Sequence, residues 1–339
     1  VKRTEHNKIG SMLYFFLFSF FVSGGLSACI TPRTDAPRLP DTEIAKQTVS
    51  PEKSGEKPGI LLINSDGNVE KYRTAQEEFK KTVSASVLET DLGNEKELEN
   101  EIKKMLTYNA DLVYCIGAKA FSFAKDHFGD KYLVFSSIIN CLRLTPFPQK
   151  TYGISNELHT RMPLFMFRSI FPDIRKIGIL YSEQYTLQWF KDSESQAKEL
   201  EIEISGRRVA EKEDLMPALK DLLSRTDALW LISDPLIMPE KKSLYDILKV
   251  CDKHKKPVFS YHETYVNYGA VLVVSADEAT IGRQAAAIAM ELLSGNMMNP
   301  DEKVQFPAGS RITLNLKKTE EYGLEYNKDG LGMVNNIVR

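Results

Sequence analysis

From Gly59 onward the chain sets short apolar runs between amphipathic stretches, and that alternation admits few folds. A run without polar alternation is buried on both faces, which is the condition of a strand in a parallel sheet covered by helices. Ile60 to Ile63, Ser86 to Leu88, Leu112 to Ile116 and Tyr132 to Phe135 read as such strands, with Thr151 to Ser155 as a fifth. The stretches from Val69 to Thr82, Glu95 to Leu106 and Ala118 to His127 read as the helices between them. The pattern then repeats, with strands at Ile177 to Tyr181, Glu203 to Val209, Ala228 to Ile232, Val258 to Ser260 and Val271 to Val274. Leu187 to Leu200, Leu215 to Ser224 and Lys241 to His254 are the helices of this second set. The expected fold class is α/β, with two doubly wound parallel-sheet lobes joined by a hinge.

Two further helices connect the sets. Thr160 to Phe171 carries Met162, Phe165, Met166 and Ile170 at helical spacing, read as core filling, and stops at Pro172. Glu278 to Leu293 puts Ile281, Ala285, Ile288, Ala289 and Leu292 on one face, with Gly295 just beyond as the stop. The 44 Lys and Arg residues are balanced by 46 Asp and Glu in 339 residues, so no basic excess marks nucleic acid as a partner.

The N-terminal part is an address. Lys2, Arg3 and Lys8 precede an apolar run from Met12 to Val22 and the small residues Ser23, Gly24 and Gly25, the order of an export signal. The run is too short for the roughly 20 residues of a membrane helix. It ends in Leu26-Ser27-Ala28-Cys29, which resembles the lipobox of bacterial lipoproteins, so residues 1–29 are expected to be a signal peptide with Cys29 the lipidated residue. Acyl chains contribute about 0.8 kcal/mol per buried methylene, enough in sum for stable anchoring to a bacterial membrane, facing the periplasm or the exterior. Residues 30–57 are rich in Pro, Thr, Glu, Lys and Ser and poor in large apolar residues, the composition of a disordered tether. A tether of that length spans on the order of 30 Å.

In open parallel sheets ligands sit beyond the carboxyl ends of the strands, so the residues there are the candidates for a site. In the first set these are Ser65 and Asp66, Gly117 and Ala118, and Ser136 and Ser137. In the second they are Tyr181 and Glu183, Asp234, Tyr261 and Asp277. Gly117 before a helix start lets backbone N–H groups approach an anion, and Asp234 or Asp277 suits a ligand ammonium or other donor. Tyr181, Tyr185 and Tyr261 offer rings for an apolar or aromatic portion. The same residue types are ordinary turn and N-cap residues, and Asp277 in particular has the position of an N-cap.

From Pro163 to Leu324 the chain resembles the ABC-transporter substrate-binding proteins of the type I periplasmic-binding fold, in the branch that includes aromatic amino-acid binders. The resemblance rests on Phe171-Pro172-Asp173-Ile174-Arg175-Lys176-Ile177-Gly178-Ile179-Leu180-Tyr181, on Asp227-Ala228-Leu229-Trp230 with Ser233-Asp234-Pro235, and on Lys256-Pro257-Val258-Phe259. Tyr268-Gly269-Ala270, Ile281-Gly282-Arg283-Gln284, Leu292-Leu293-Ser294-Gly295 and Asn315-Leu316-Lys317-Lys318-Thr319 continue it in order. The first set matches more loosely, with Gly117-Ala118-Lys119-Ala120 where the family commonly has Gly-Thr-Pro-Ala, and Asn140-Cys141 where it has Asp-Pro. The resemblance implies lobes of residues 58–156 plus 275–305 and of 157–274 plus 306–330, leaving 331–339 as a tail. It also implies capture of a small, amino-acid-like molecule by a monomer and its delivery to an ABC permease and ATPase. The alternative is a sensor module of the same fold signalling to a membrane kinase or receptor.

Enzyme chemistry is not expected. The chain has no GxSxG, HExxH or GxGxxG motif, and no cofactor is expected. Cys251, His254, His262 and Glu263 form the nearest metal-like grouping, but Lys253, His254, Lys255 and Lys256 suit a helix C-terminus for electrostatic reasons alone. Cys115 reads as a small buried hydrophobe, and sequence alone leaves open whether Cys141 and Cys251 pair.

Overall fold

The computed structural model describes residues 59–296, 298–299 and 302–339. The expected signal segment, Cys29 and the tether lie outside the described residues.

The first half alternates as its apolar runs dictate: β1 (Gly59–Asn64), α1 (Glu70–Thr82), β2 (Ser86–Asp91), α2 (Leu98–Thr107), β3 (Leu112–Ile116), α3 (Ala118–His127), β4 (Tyr132–Ile138) and β5 (Thr151–Ser155). A connecting helix, α4 (Arg161–Ile170), leads to β6 (Lys176–Tyr181), α5 (Leu187–Lys198), β7 (Glu203–Arg208), α6 (Leu215–Leu223), β8 (Ala228–Trp230), α7 (Lys241–Lys253), β9 (Val258–Ser260) and β10 (Leu272–Ala276). The chain closes with α8 (Glu278–Leu293), β11 (Val304–Gln305), β12 (Ser310–Asn315), α9 (Leu316–Glu321) and β13 (Asn336–Val338).

These strands form a six-stranded sheet in the order β11-β5-β4-β3-β1-β2 and a seven-stranded sheet in the order β13-β12-β10-β9-β8-β6-β7. Each sheet reverses its winding once, between β1 and β3 and between β6 and β8, which places crevices at the carboxyl ends of those pairs. All pairings are parallel except β10 with β12. Residues 331–339, read from sequence as a tail, include β13, which pairs with β12 and so extends the second sheet.

Burial on both faces explains the continuous apolar strands. In β1, Ile60 and Leu62 face one core with α1 and α8, while Leu61 and Ile63 face another with Ala120, Phe121 and Ala124 of α3. In the second sheet, Ile177 and Ile179 pack with α4 and α5, and Leu180, Leu229 and Leu231 with α6 and α7. Although α8 follows β10 of the second sheet, it packs against α1 and β4 of the first. That crossing depends on Gly282, where a Cβ would stand 2.3 Å from the Ala75 carbonyl oxygen. Helix α4 turns inward a face that overlaps the expected one only in part. Met166 and Ile170 are buried as expected, together with Leu164 and Phe167, the latter against Trp230 and Phe259, whereas Met162 and Phe165 are exposed. The short stretch offers two overlapping apolar stripes, and the rings of the second sheet select one of them. Cys141 and Cys251 are free thiols in different cores and do not pair.

Candidate functional site

At the carboxyl ends of the first sheet, most expected polar groups are occupied within the protein. Ser65 Oγ accepts the Ala120 N–H at 2.9 Å, capping the start of α3. Gly117 has φ of 84°, donates its N–H to the Ser136 carbonyl at 2.9 Å, and leaves no room for a Cβ, which would lie 2.6 Å from Ser65 Oγ. Ala118, the first residue of α3, is exposed. Asp66 Oδ1 accepts the Asn68 N–H at 2.9 Å in a local turn. Ser136 Oγ pairs with the Tyr114 hydroxyl at 2.7 Å in the core, and Ser137 Oγ donates to Glu278 Oε2 at 2.8 Å.

The second sheet treats Asp234 the same way. This carboxylate is 2 % exposed. Its Oδ2 accepts from the Ser182 N–H at 2.9 Å, from Ser182 Oγ at 2.7 Å and from Thr186 Oγ1, and its Oδ1 accepts from the Leu236 and Ile237 N–H groups at 2.8 and 3.3 Å. Such a carboxylate ties the loop after β6 to the loop after β8 and has no acceptor position left for a ligand ammonium. Asp277 caps α8, accepting from Thr280 N–H at 3.0 Å and Thr280 Oγ1 at 2.5 Å. Tyr181 stacks on Phe190 with centroids 4.3 Å apart, and Glu183 is an exposed partner of Arg208 at 2.8 Å. Of the expected residues, Tyr185 and Tyr261 line the main cavity. The Tyr261 hydroxyl lies 3.4 Å from that of Tyr265, and burial holds the phenol well above its ordinary pKa.

That cavity, of about 470 Å³, lies where the chain passes between the sheets, bounded by residues 140–143, 155–158, 230–233 and 304–306 and by the start of α5. Its walls are aromatic: Tyr185, Trp189, Trp230, Tyr261 and Phe306. Trp189 and Trp230 meet edge to face with centroids 4.8 Å apart, and Phe306 keeps 54 % of its surface exposed. The Arg143 guanidinium sits 5.8 Å from the Tyr185 ring centroid. Asn140, Asn156, Glu157 and Ser233 are among its polar residues, with Arg143, Gln188, Asp192 and Gln305.

Asn140 joins the two lobes. It holds a left-handed conformation, with φ of 53°, and its Nδ2 donates to the Ser233 carbonyl at 3.0 Å and to Ser233 Oγ at 3.1 Å. Glu157 Oε2 accepts the Asn140 N–H at 3.1 Å, and burial pushes its carboxyl above the ordinary carboxylate pKa. Cys141, also on the wall, is pushed up to about 11 by burial and stays a thiol at neutral pH.

A second, charged cavity of about 370 Å³ shares Asn156, Tyr261 and Ala276 with the first. Asp277, Lys71, Glu278, His262 and Arg311 line it. Burial raises the Glu278 carboxyl and lowers the Lys71 amine and the His262 imidazole. Among the described residues no group of three or more His, Cys, Asp and Glu side chains is placed to hold a metal ion.

Sequence reasoning therefore missed Asn140, Glu157, Trp189 and Phe306. Trp189 had a visible signal, since it stands four residues after Tyr185 at the entry to α5. Asn140 is one of the two departures from the family's pattern. The other departure, Lys119, reaches back to donate to the Leu92 carbonyl at 2.5 Å.

Two α/β sheets with a hinge between them and an aromatic, sparsely polar cavity at that hinge define a two-lobed ligand-binding protein. Residues 65–334 match the family model described as ABC transporter substrate binding protein, and the chain belongs to that family. It is similar to a tyrosine-binding protein of Clostridioides difficile, 26 % identical over 145 residues, which is 42 % of this chain and 41 % of that relative. The match thus spans about two fifths of the curated relative's length. Among solved structures, a ligand-free, open substrate-binding protein with adhesive properties from Clostridium difficile aligns with a TM-score of 0.64 at 14 % identity, covering 83 % of this chain and 99 % of that one. An ABC domain from Streptococcus pneumonia in complex with L-Trp aligns with a TM-score of 0.57 at 16 % identity, covering 84 % and 100 %. These likenesses establish the type I periplasmic-binding fold.

Proposed function

We propose that this protein captures an aromatic amino acid or a close analogue in the cavity at the hinge, without chemical change, and hands it to an ABC permease and ATPase. The observation that carries the reading is the cavity wall, where Tyr185, Trp189, Trp230, Tyr261 and Phe306 surround a few polar groups. Aromatic pairs gain about 0.5–1.5 kcal/mol beyond simple burial, so a ring entering this wall gains more than an aliphatic chain of similar area. The relatives' ligands, tyrosine by name in one and L-Trp in the other, are of the same class. Delivery follows from closure: Asn140 on one lobe hydrogen-bonds Ser233 on the other, and ligand held between them favours the state with the lobes together. Anchoring through a lipidated Cys29 keeps the carrier outside the cytoplasm at the membrane that holds the permease.

A thermal-shift and calorimetric screen of the purified protein against L-Tyr, L-Trp and L-Phe, with aliphatic and acidic amino acids as controls, tests the ligand class. Ligand at 100 times its dissociation constant stabilises by about 2.7 kcal/mol. A shift with the controls and none with the aromatic compounds sinks the reading. For the anchor, Cys29→Ser releases the protein from the membrane fraction; retention there removes Cys29 from the account.

A further inference from the structure

The acids around the cleft differ in how much acceptor capacity they retain. Asp234 and Asp277 hold donors in loop and cap, and Asp192 is an exposed residue paired with Gln188 at 2.9 Å. Glu157 is different. The Asn140 N–H reaches its Oε2 at 3.1 Å and the Ser155 side chain also hydrogen-bonds it, while a carboxylate has about four acceptor sites. The nearby cation, Arg143, gives it only through-space attraction, since that guanidinium lies over Tyr185 and its Nε donates to the Asn140 carbonyl at 3.4 Å. Burial outweighs these attractions and holds the carboxyl above its ordinary pKa, the condition of an anion whose charge is under-compensated. Next to it in the chain, Asn156 Oδ1 is buried with no hydrogen-bond partner and borders the same cavity. Two neighbouring acceptors on an aromatic wall call for a compact cation with several N–H donors. An ammonium has three. Among the described residues that line the cavity, Arg143 is the one cation for a ligand carboxylate, and it is exposed.

We propose that Glu157, with the Asn156 side-chain carbonyl beside it, binds a protonated primary amine on the ligand. The ammonium and the ring are then what the site requires, and a ligand carboxylate is secondary. The inference rests on the aromatic-ligand reading above. Its ligand class is aromatic primary amines, with or without a carboxylate.

The test is calorimetry of the wild-type protein and Glu157→Gln with three probes of one ring: L-tryptophan, tryptamine and 3-indolepropionate. Gln keeps the size and still accepts the Asn140 N–H. Wild type is expected to bind tryptophan and tryptamine and to bind 3-indolepropionate about 10- to 150-fold more weakly, the scale of one charged hydrogen bond. Glu157→Gln is expected to lose the same factor for the two amines and nothing for 3-indolepropionate. If wild type prefers 3-indolepropionate to tryptamine, or if a folded Glu157→Gln protein keeps full affinity for the amines, the assignment of Glu157 is overturned while the aromatic reading stands. If none of the three probes binds wild type, the aromatic reading fails and takes this inference with it.

Discussion

The strand-end loops and the hinge segments contrast in what they do with polar side chains. In the loops, Ser65, Ser136 and Asp234 each satisfy groups of the protein itself. In the hinge, the half-buried Glu157 and Asn156 border a cavity with acceptor capacity left over. A polar residue at the right strand end is thus as readily a structural cap as a ligand contact, and only its hydrogen-bond partners distinguish the two. Unsatisfied capacity next to a cavity is the better mark of a site.

The largest expected effect tests the loop side of that contrast. Asp234→Ala leaves buried donors of Ser182, Thr186, Leu236 and Ile237 without their acceptor and is expected to destabilise the fold by about 3 kcal/mol or more, measured by denaturant unfolding. A stable variant with lost ligand affinity would return Asp234 to the site. On the hinge side, Trp189→Ala is expected to lower affinity for an aromatic ligand by about 10- to 30-fold while costing less stability than Asp234→Ala, read by calorimetry beside unfolding. Unchanged affinity would mean that the aromatic wall is not the contact surface.

Asn140→Gly keeps the left-handed backbone and deletes the bridge to Ser233. It is expected to shift the lobes toward the open form by about 1 kcal/mol, seen as a larger radius of gyration in small-angle scattering of the ligand-free protein. No change would show that other contacts hold the lobes together.

A smaller effect concerns pH. A carboxyl whose folded pKa stands above its unfolded value binds its proton more tightly in the fold, so its ionisation lowers stability. The loss begins as pH rises through the unfolded value and is complete above the folded one. Glu157, raised by burial against the opposing pull of the Asn140 N–H, Arg143 and the Ser155 side chain, belongs to this class. Ligand-free Glu157→Gln should therefore melt at or above wild type at neutral pH, with the gap closing as the medium is acidified. A gap that widens in acid contradicts the sign. The least effect is expected at Glu183→Ala, which removes an exposed ion pair with Arg208 and should change stability by less than about 1 kcal/mol and ligand affinity not at all.

Most of the fold was legible in the sequence because burial on both faces writes itself as uninterrupted apolar runs. The β1 and β3 strands, with Ile60 to Ile63 and Leu112 to Ile116 buried on both sides, are the clearest cases. What escaped were β11, two residues long, the antiparallel β12, whose partner β10 lies across a helix that belongs to the other lobe, and β13 in the stretch read as a tail. Neither a two-residue strand nor a pairing over such a distance leaves a period in the chain. Helix α4 shows the same limit from the other direction: its apolar spacing was plain, but the rings of Trp230 and Phe259 chose which stripe turned inward.

The site was less legible, and for a different reason. Local sequence determined the two α/β lobes, the charge balance and the family, because each depends on residue type and on spacing within one element. Tertiary structure decided which acids are satisfied. Asp234 and Glu157 are carboxylates following strands, equivalent when read in order, yet one receives hydrogen bonds from Ser182 and Thr186 about fifty residues upstream, and the other only the Asn140 N–H and the nearby Ser155 side chain. A buried charge is governed by the donors that the fold brings to it, and those come from segments far apart in the chain.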